Sequence, residues 1–348
     1  VVTADVKETE QDASEDLSPW RNAGPVARHR RRRLLLLTVV AFTVIAGFTG
    51  FPTGREVITF WLLATLLAAC GGELKVWRSA VVRDWLPLLA VLFAYDLLRG
   101  VANEIGGALF TLHRYASNPD VAASRVRANM TEPIDIDRWL FHGKVPTVWL
   151  QQKLYTPGVA HWYDRIIMVC YLSHFLVSLV LAVVLWCVNY RLFRSYLATL
   201  VTLTLITLAT YILVPTSPPW MAGLNGYLPH VDRVVQATLS TIGGETLNSA
   251  VEKGAAYSNP VAAMPSLHAA IPMFLLLFFW REVRARGRVF LSAYALLMAF
   301  SLVYAGEHYV TDVLAGWLYA AISVFGVRFV AGRRERLLQP SDSSAVPA

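Results

Sequence analysis

The sequence predicts an all-α fold: a polytopic transmembrane helix bundle of about eight spans with an interfacial helical segment on its outer side. Three observations predict it. Apolar residues make up 55% of the 348 positions and charged residues only 16%, a balance that belongs to integral membrane proteins. Several stretches meet or approach the roughly 20 uncharged residues with which a helix crosses a hydrocarbon core of about 30 Å. Lys and Arg gather in alternate connections between those stretches, as topology signals do.

Residues 1–33 read as an unstructured cytoplasmic tail. Asp5, Glu8, Glu10, Asp12, Glu15 and Asp16 stand among few apolar residues, a composition that cannot bury a core, and the tail ends in the basic cluster Arg28, Arg30, Arg31, Arg32 and Arg33. The chain opens on Val1, so its true start is expected upstream. Residues 34–51 form the first span. They do not read as a cleavable leader, because a long polar stretch precedes them and no small-residue cleavage pattern follows. Residues 57–70 and 85–98 are shorter apolar stretches, taken as the second and third spans. Residues 166–188 and 196–214 are the fourth and fifth, 267–280 a shorter sixth, and 289–304 and 309–330 the seventh and eighth. Residues 331–348 form a cytoplasmic C-terminal tail.

The basic residues orient this bundle. The cluster before the first span, Lys75, Arg78 and Arg83 after the second, Arg191 and Arg194 after the fourth, the arginines from 281 to 288 after the sixth, and Arg333, Arg334 and Arg336 after the eighth all fall on one side. By the positive-inside rule that side is cytoplasmic, and so are both termini. The short connections 52–56 and 305–308 carry one and no positive charge and face outward. Residues 99–165 hold eight positives, but a segment of that length is largely exempt from the rule. Within it Trp139, Leu140, Phe141, Val148, Trp149 and Leu150 alternate with polar residues, as in a pair of helices lying at the bilayer surface. Asn129-Met130-Thr131 matches a glycosylation acceptor by pattern alone.

The net charge of +7 does not point to nucleic acid, since the basic residues flank apolar segments and form no basic, aromatic face. Cys70, Cys170 and Cys187 lie at or within spans without metal-ligand spacing, so neither a disulfide framework nor a zinc site is indicated.

The polar residues that carry chemistry are remote in sequence but level in depth, all at the outer face: 215–220 follows the fifth span, 264–268 opens the sixth, and 306–312 opens the eighth. His308 and Asp312 are spaced i, i+4, which on a helix puts the carboxylate within reach of an imidazole nitrogen. A carboxylate that holds one ring nitrogen protonated leaves the other as a nucleophile or base. An ionisable residue carried into an apolar helix is a functional candidate, and His268 adds a second at the same level. Pro265 and Ser266 suit a helix entry whose backbone N–H groups cradle a phosphate, with Ser266 donating one more bond. Two histidines divide the work of phosphoryl transfer, one attacking phosphorus and the other protonating the departing oxygen. That scheme uses no cofactor and no metal. A two-histidine, one-carboxylate metal site is the lesser alternative.

Pro265-Ser266-Leu267-His268, followed forty residues later by His308-Tyr-Val-Thr-Asp312, resembles the type 2 phosphatidic acid phosphatase superfamily. Pro215-Thr-Ser-Pro-Pro-Trp220 and Gly306-Glu-His-Tyr-Val-Thr-Asp312 resemble the branch containing inositol phosphorylceramide synthase, the aureobasidin target. The similarity extends over about residues 139–329, which become the expected catalytic core of a transmembrane domain spanning 34–330. The resemblance implies that His308 is the nucleophile, that Asp312 assists it and that His268 protonates the leaving group. It also has gaps. The superfamily's first motif, a lysine followed by an arginine-proline pair, finds no match. Ser301 and Leu302 stand where the third motif has Ser-Arg, so the usual phosphate-binding arginine is missing. Arg99, Lys153 and Arg165 are candidates to replace it, and each is equally an interfacial anchor. Trp220 and its prolines read as a stiff outer loop over the site. His161, Asp164 and His174 are further polar positions near the start of the fourth span, the last with no readable role.

The expected activity is therefore transfer of a phosphorylated headgroup from one membrane lipid to an alcohol or lipid acceptor, with hydrolysis of a lipid or polyprenyl phosphate as the alternative. A lipid or small-solute transporter is the reading from another class; neither a repeat nor a polar stripe supports it. High Ala, Leu, Val and Arg usage fits a bacterial plasma membrane. Nucleic acid is not an expected partner.

Overall fold

The computed structural model describes residues 25–49, 55–94, 130–242 and 262–338. Every regular element among them is a helix, and the one extended pairing is an isolated parallel bridge between Thr216 and Ala262. Helix α1 covers Pro25–Thr49, α2 Arg55–Ala69 and α3 Leu74–Ala80; α3 runs through a π-helical turn, Val81–Trp85, into α4 at 86–94. Then follow α5 (Glu132–Leu140), α6 (Pro146–Leu154), α7 (Trp162–Val188), α8 (Tyr190–Leu213), α9 (Pro219–Leu224) and α10 (234–242). The last three are α11 (Leu267–Phe279), α12 (Ala285–Tyr304) and α13 (Val310–Leu338).

Among the described residues three helices are long and apolar enough to cross a membrane: α8, α12 and the Val310–Arg333 part of α13. Helix α7 makes a fourth if its halves, Trp162–His174 and Leu176–Val188, which meet at 48°, are one span. This fits an integral membrane protein but does not reach the expected eight crossings. Part of the shortfall is one of length. The apolar stretch Val57–Ala69 and helix α11 are both shorter than a full crossing; at 1.5 Å per residue such a helix reaches only about 20 Å of a core about 30 Å thick. The expected third span passes out of the described residues after position 94.

Two boundaries differ from expectation. Helix α1 starts at Pro25, so the arginine cluster is helical and not the end of an unstructured tail. Helix α13 continues to Leu338, into the segment read as a C-terminal tail. In both cases arginines continue a helix whose apolar part is anchored, since Arg is itself a good helix former. Residues 1–24, 339–348, Arg99 and Asn129 lie outside the described residues. The expected pair of aromatic-rich helices is present as α5 and α6, each opened by a proline in its first turn, where a missing N–H costs nothing.

Helix ends are closed by their own sequence. Asp164 accepts the His161 N–H at 2.9 Å to cap α7, Asn189 accepts from Leu192 N at 3.0 Å to cap α8, and Ser266 accepts from Ala269 N at 3.2 Å to cap α11. These side chains satisfy N–H groups that the helix itself leaves open.

The hub is α11, which packs against α13, α12, α7 and α8. Its approach to α13 is closest at Gly316, where any Cβ would collide with the Ser266 carbonyl oxygen. Further along α11, Phe274 and Phe278 lie 5.0 and 5.5 Å from the Tyr196 ring. Beyond them, Trp85 meets Trp186 edge to face at 5.9 Å. Asp84 closes that end, accepting from Trp186 Nε1 at 3.0 Å, Tyr190 Oη at 2.7 Å and Arg83 Nε at 2.8 Å. The outer surface of the bundle is apolar: Val289 and Phe290 are 69% and 70% exposed, and Phe325 and Phe329 face outward likewise. A surface of that kind belongs in lipid.

Candidate active site

The site is built where α11, α12 and α13 meet. Helix α12 ends at Tyr304, and Gly306 turns the chain with φ +79°. A side chain there would be strained in φ and would put Cβ 2.6 Å from the Asp232 carbonyl oxygen, so the position favours glycine. The turn is closed by Glu307 N and His308 N, both donating to the Leu302 carbonyl at 3.1 and 3.2 Å. His308 therefore lies in the turn and not on the helix, which starts at Val310.

The expected i, i+4 pair forms, but by capping geometry. Asp312, in the first turn of α13, folds back so that Oδ2 accepts the Tyr309 N–H at 2.9 Å and lies 3.4 Å from His308 Nδ1. Asp312 Oδ1 makes no hydrogen bond. His308 is 6% exposed and Asp312 fully buried. The 3.4 Å contact is longer than a good hydrogen bond, and catalytic hydrogen bonds are often long before substrate tightens them. With Nδ1 turned to the carboxylate, Nε2 is the nitrogen available for chemistry.

His268 arrives from α11. Ser266 N donates to the Asp312 carbonyl at 3.0 Å, tying the entry of α11 to the first turn of α13. Tyr211 Oη donates to the Pro265 carbonyl at 2.9 Å. The His268 ring stacks on Tyr171 at 4.7 Å, meets His174 tilted at 4.1 Å, and its centroid lies 5.9 Å from that of His308. His174 sits where the two halves of α7 meet.

Ser266 is fully buried and its oxygen caps α11. The Pro-rich segment is packed inside the protein: residues 215–219 are buried, and Ala263 N donates to the Thr216 carbonyl at 3.0 Å. Its prolines carry no N–H to leave unsatisfied, so burying them there is cheap. Trp220 is half-buried, donates its N–H to the Gly306 carbonyl at 3.1 Å and lies under the Arg233 guanidinium at 4.6 Å. Lys153 and Arg165 are exposed, and among the described residues neither hydrogen bond nor ion pair connects them to His268 or His308. No three His, Cys, Asp or Glu side chains converge as a metal requires among the described residues.

Several residues at the site gave no signal in the sequence. Asp137, on α5, is fully buried and accepts from Val310 N at 3.1 Å, Thr311 N at 3.0 Å and Thr311 Oγ1 at 2.7 Å. It caps α13 from another helix, where the dipole favours an anion. Burial pushes its carboxyl above the ordinary aspartate value, against the lowering effect of those donors. Gln151 donates to the Asp232 and Tyr304 carbonyls at 2.8 and 2.9 Å and accepts from Asp232 N at 2.9 Å. Arg233 pairs with Glu307 through Nε and Nη2 at 3.0 and 3.3 Å. Asp164, noted as a polar position, accepts from Tyr304 Oη at 2.7 Å and binds α7 to α12.

Two imidazoles with a phosphate-sized separation, one backed by a buried carboxylate, can attack phosphorus and protonate a leaving oxygen. No curated protein and no solved structure matches the chain. The family model of the PAP2 superfamily, whose members are phosphatases or phosphotransferases of lipid phosphates, matches residues 134–325. That stretch takes in α5 through most of α13, His268, His308 and Asp312 among them, and it is more than half of the chain; the protein belongs to the PAP2 superfamily.

Proposed function

We propose that this protein transfers a phosphorylated headgroup between membrane lipids through a phosphohistidine on His308, at the extracytoplasmic face of a bacterial plasma membrane. The observation that carries the reading is the approach of the His268 and His308 rings, 5.9 Å between centroids, with Asp312 on the Nδ1 side of His308.

In the first half-reaction His308 Nε2 forms a bond to phosphorus and the bond from phosphorus to the lipid oxygen breaks. Protonated His268 gives its proton to that oxygen, and Asp312 stabilises the positive charge that develops on the His308 ring. In the second, the acceptor hydroxyl loses its proton to His268 and its oxygen displaces His308 from phosphorus. No cofactor enters either step. When the acceptor is water the same sites make a lipid phosphatase. The stretches 215–220 and 306–312 favour the transferase, because they are the part of the chain that resembles the inositol phosphorylceramide synthase-like branch. Ser266 reads as a positioning residue in this scheme, and Arg99, Lys153 and Arg165 as anchors at the membrane surface. The positive residues on the opposite side support cytoplasmic termini.

The test is turnover of a panel of lipid phosphates and phospholipids by purified protein, wild type against His308→Ala and His268→Ala. Loss of turnover in both supports the scheme, and free phosphate against a new phospholipid separates hydrolysis from transfer. Activity that survives His308→Ala sinks the proposed nucleophile.

A further inference from the structure

The site as described leaves the substrate's phosphate without a cation. Leu302, in place of the arginine that related motifs carry, is fully buried and apolar, and Lys153 and Arg165 are exposed. Arg233 is placed differently. It follows Asp232, whose N–H is held by Gln151, and precedes Val234, whose N–H donates to the Ala305 carbonyl at 3.2 Å. The segment is thus sewn to the turn before His308 on both sides of the arginine. Its side chain is only 28% exposed, and its partner Glu307, 11% exposed, is the residue adjacent to His308. On the other side it is within electrostatic reach of Tyr171, the ring that stacks on His268.

Arg233 therefore stands between the neighbours of the two histidines. Glu307 takes one edge of the guanidinium through Nε and Nη2, and Trp220 covers one face at 4.6 Å. These two contacts fix the plane of the group. Among the described residues Nη1 makes no hydrogen bond or ion pair, so the remaining fork of N–H donors is preorganised for two oxygens of one anion, the geometry in which arginine binds phosphate. Burial works against the charge, and Glu307 outweighs it, holding the guanidinium's pKa above its ordinary value. The donors are therefore present across the working pH range.

We propose that Arg233, oriented by Glu307 and Trp220, is the residue that binds the phosphate group of the substrate, in place of the arginine missing at position 302. This rests on the phosphoryl-transfer reading above. Glu307 and Trp220 are then positioning residues, and Trp220 serves the substrate through the arginine it carries.

The experiment measures KM and kcat for phosphatidic acid in mixed micelles and inhibition by orthovanadate, in wild type, Arg233→Gln, Arg233→Lys and Arg233→Ala with and without added guanidinium. Direct vanadate binding to each purified protein is measured beside turnover. The expected result is a rise of about 10- to 100-fold in KM and in the vanadate inhibition constant for Arg233→Gln, as loss of a charge-assisted hydrogen-bonding partner produces. Arg233→Lys keeps the charge without the fork and recovers part of the loss; guanidinium restores Arg233→Ala. A purely structural clamp would instead lower kcat and thermal stability, leave KM and vanadate affinity unchanged and show no rescue, which overturns the proposal while the phosphohistidine scheme stands. If wild type turns over no lipid phosphate yet binds vanadate in an Arg233-dependent way, the anion site stands and the lipid reaction falls. If wild type neither turns over substrate nor binds vanadate, both fall. Should Arg233→Gln not fold, the lysine variant carries the same comparison.

Discussion

Asp137 holds Thr311 twice: its Oδ1 accepts both the backbone N–H, at 3.0 Å, and the hydroxyl, at 2.7 Å. The two residues are remote in sequence, and the bond joins α5 to the first turn of α13, one residue before Asp312. Replacing Asp137 by Ala orphans N–H groups of Val310 and Thr311 that the helix cannot satisfy itself. The expected cost is about 1–3 kcal/mol of stability, read as a lower unfolding temperature in detergent, together with a fall in kcat as Asp312 loses its fixed position. Asp137→Asn is expected to be nearly as damaging, because one face of the amide turns donors toward donors. An unchanged kcat in Asp137→Ala would show that α13 holds Asp312 without this cap.

His174 lies 4.1 Å, ring to ring, from His268, and acts in this reading as the wall against which the acid is held. Its test is a comparison of two substitutions. His174→Phe retains a ring of similar shape and is expected to keep more of kcat than His174→Ala, with KM little changed in either. If phenylalanine and alanine are equally poor, the imidazole of His174 takes part chemically and is not merely a packing surface.

Asp312→Asn keeps the size of the side chain and removes its charge. Without the carboxylate the His308 ring loses the partner that stabilises its cationic form, and kcat is expected to fall by about 10²–10⁴-fold with little effect on KM. Rapid-quench measurement of a covalent phosphoprotein checks the assignment. Its formation slows in Asp312→Asn and is lost in His308→Ala.

Gly306 and Gly316 are tight for different reasons. At Gly306 the φ of +79° and the Asp232 carbonyl both oppose a side chain; at Gly316 a methyl would enter the Ser266 carbonyl. Alanine at either position is expected to cost on the order of 2–4 kcal/mol. The functional signatures differ. Gly306→Ala displaces the turn that carries Glu307 and His308, whereas Gly316→Ala drives apart α11 and α13 and hence His268 from His308. A variant at either site with wild-type unfolding temperature and wild-type kcat would show that the backbone relaxes there at no cost.

The helical membrane character was legible in composition and in runs of apolar residues, because lipid requires every span to satisfy its own backbone and leaves the helix as the local solution. The helix pair α5 and α6 was legible from aromatic and apolar residues that alternate with polar ones. Span count was not, since the apolar length of residues 57–70 and 267–280 marks burial in a bundle as readily as a full crossing. His268, His308 and Asp312 stood out because charge in an apolar helix is costly and so needs a reason.

What the sequence by itself determined, then, was a chain of apolar helices, with His268, His308 and Asp312 as its candidates for chemistry. Tertiary structure alone decided which of these meet. Asp137, Gln151 and Arg233 each lie outside any motif, and their partners are remote in sequence. They carry no local signal, because the buried contact that gives each its place exists only once the helices have packed. The same packing put His308 in a turn, with Asp312 folding back to it as a cap, where spacing had suggested two neighbours on one helix. The α13 N-terminus leaves N–H groups that only side chains brought in by the fold can satisfy.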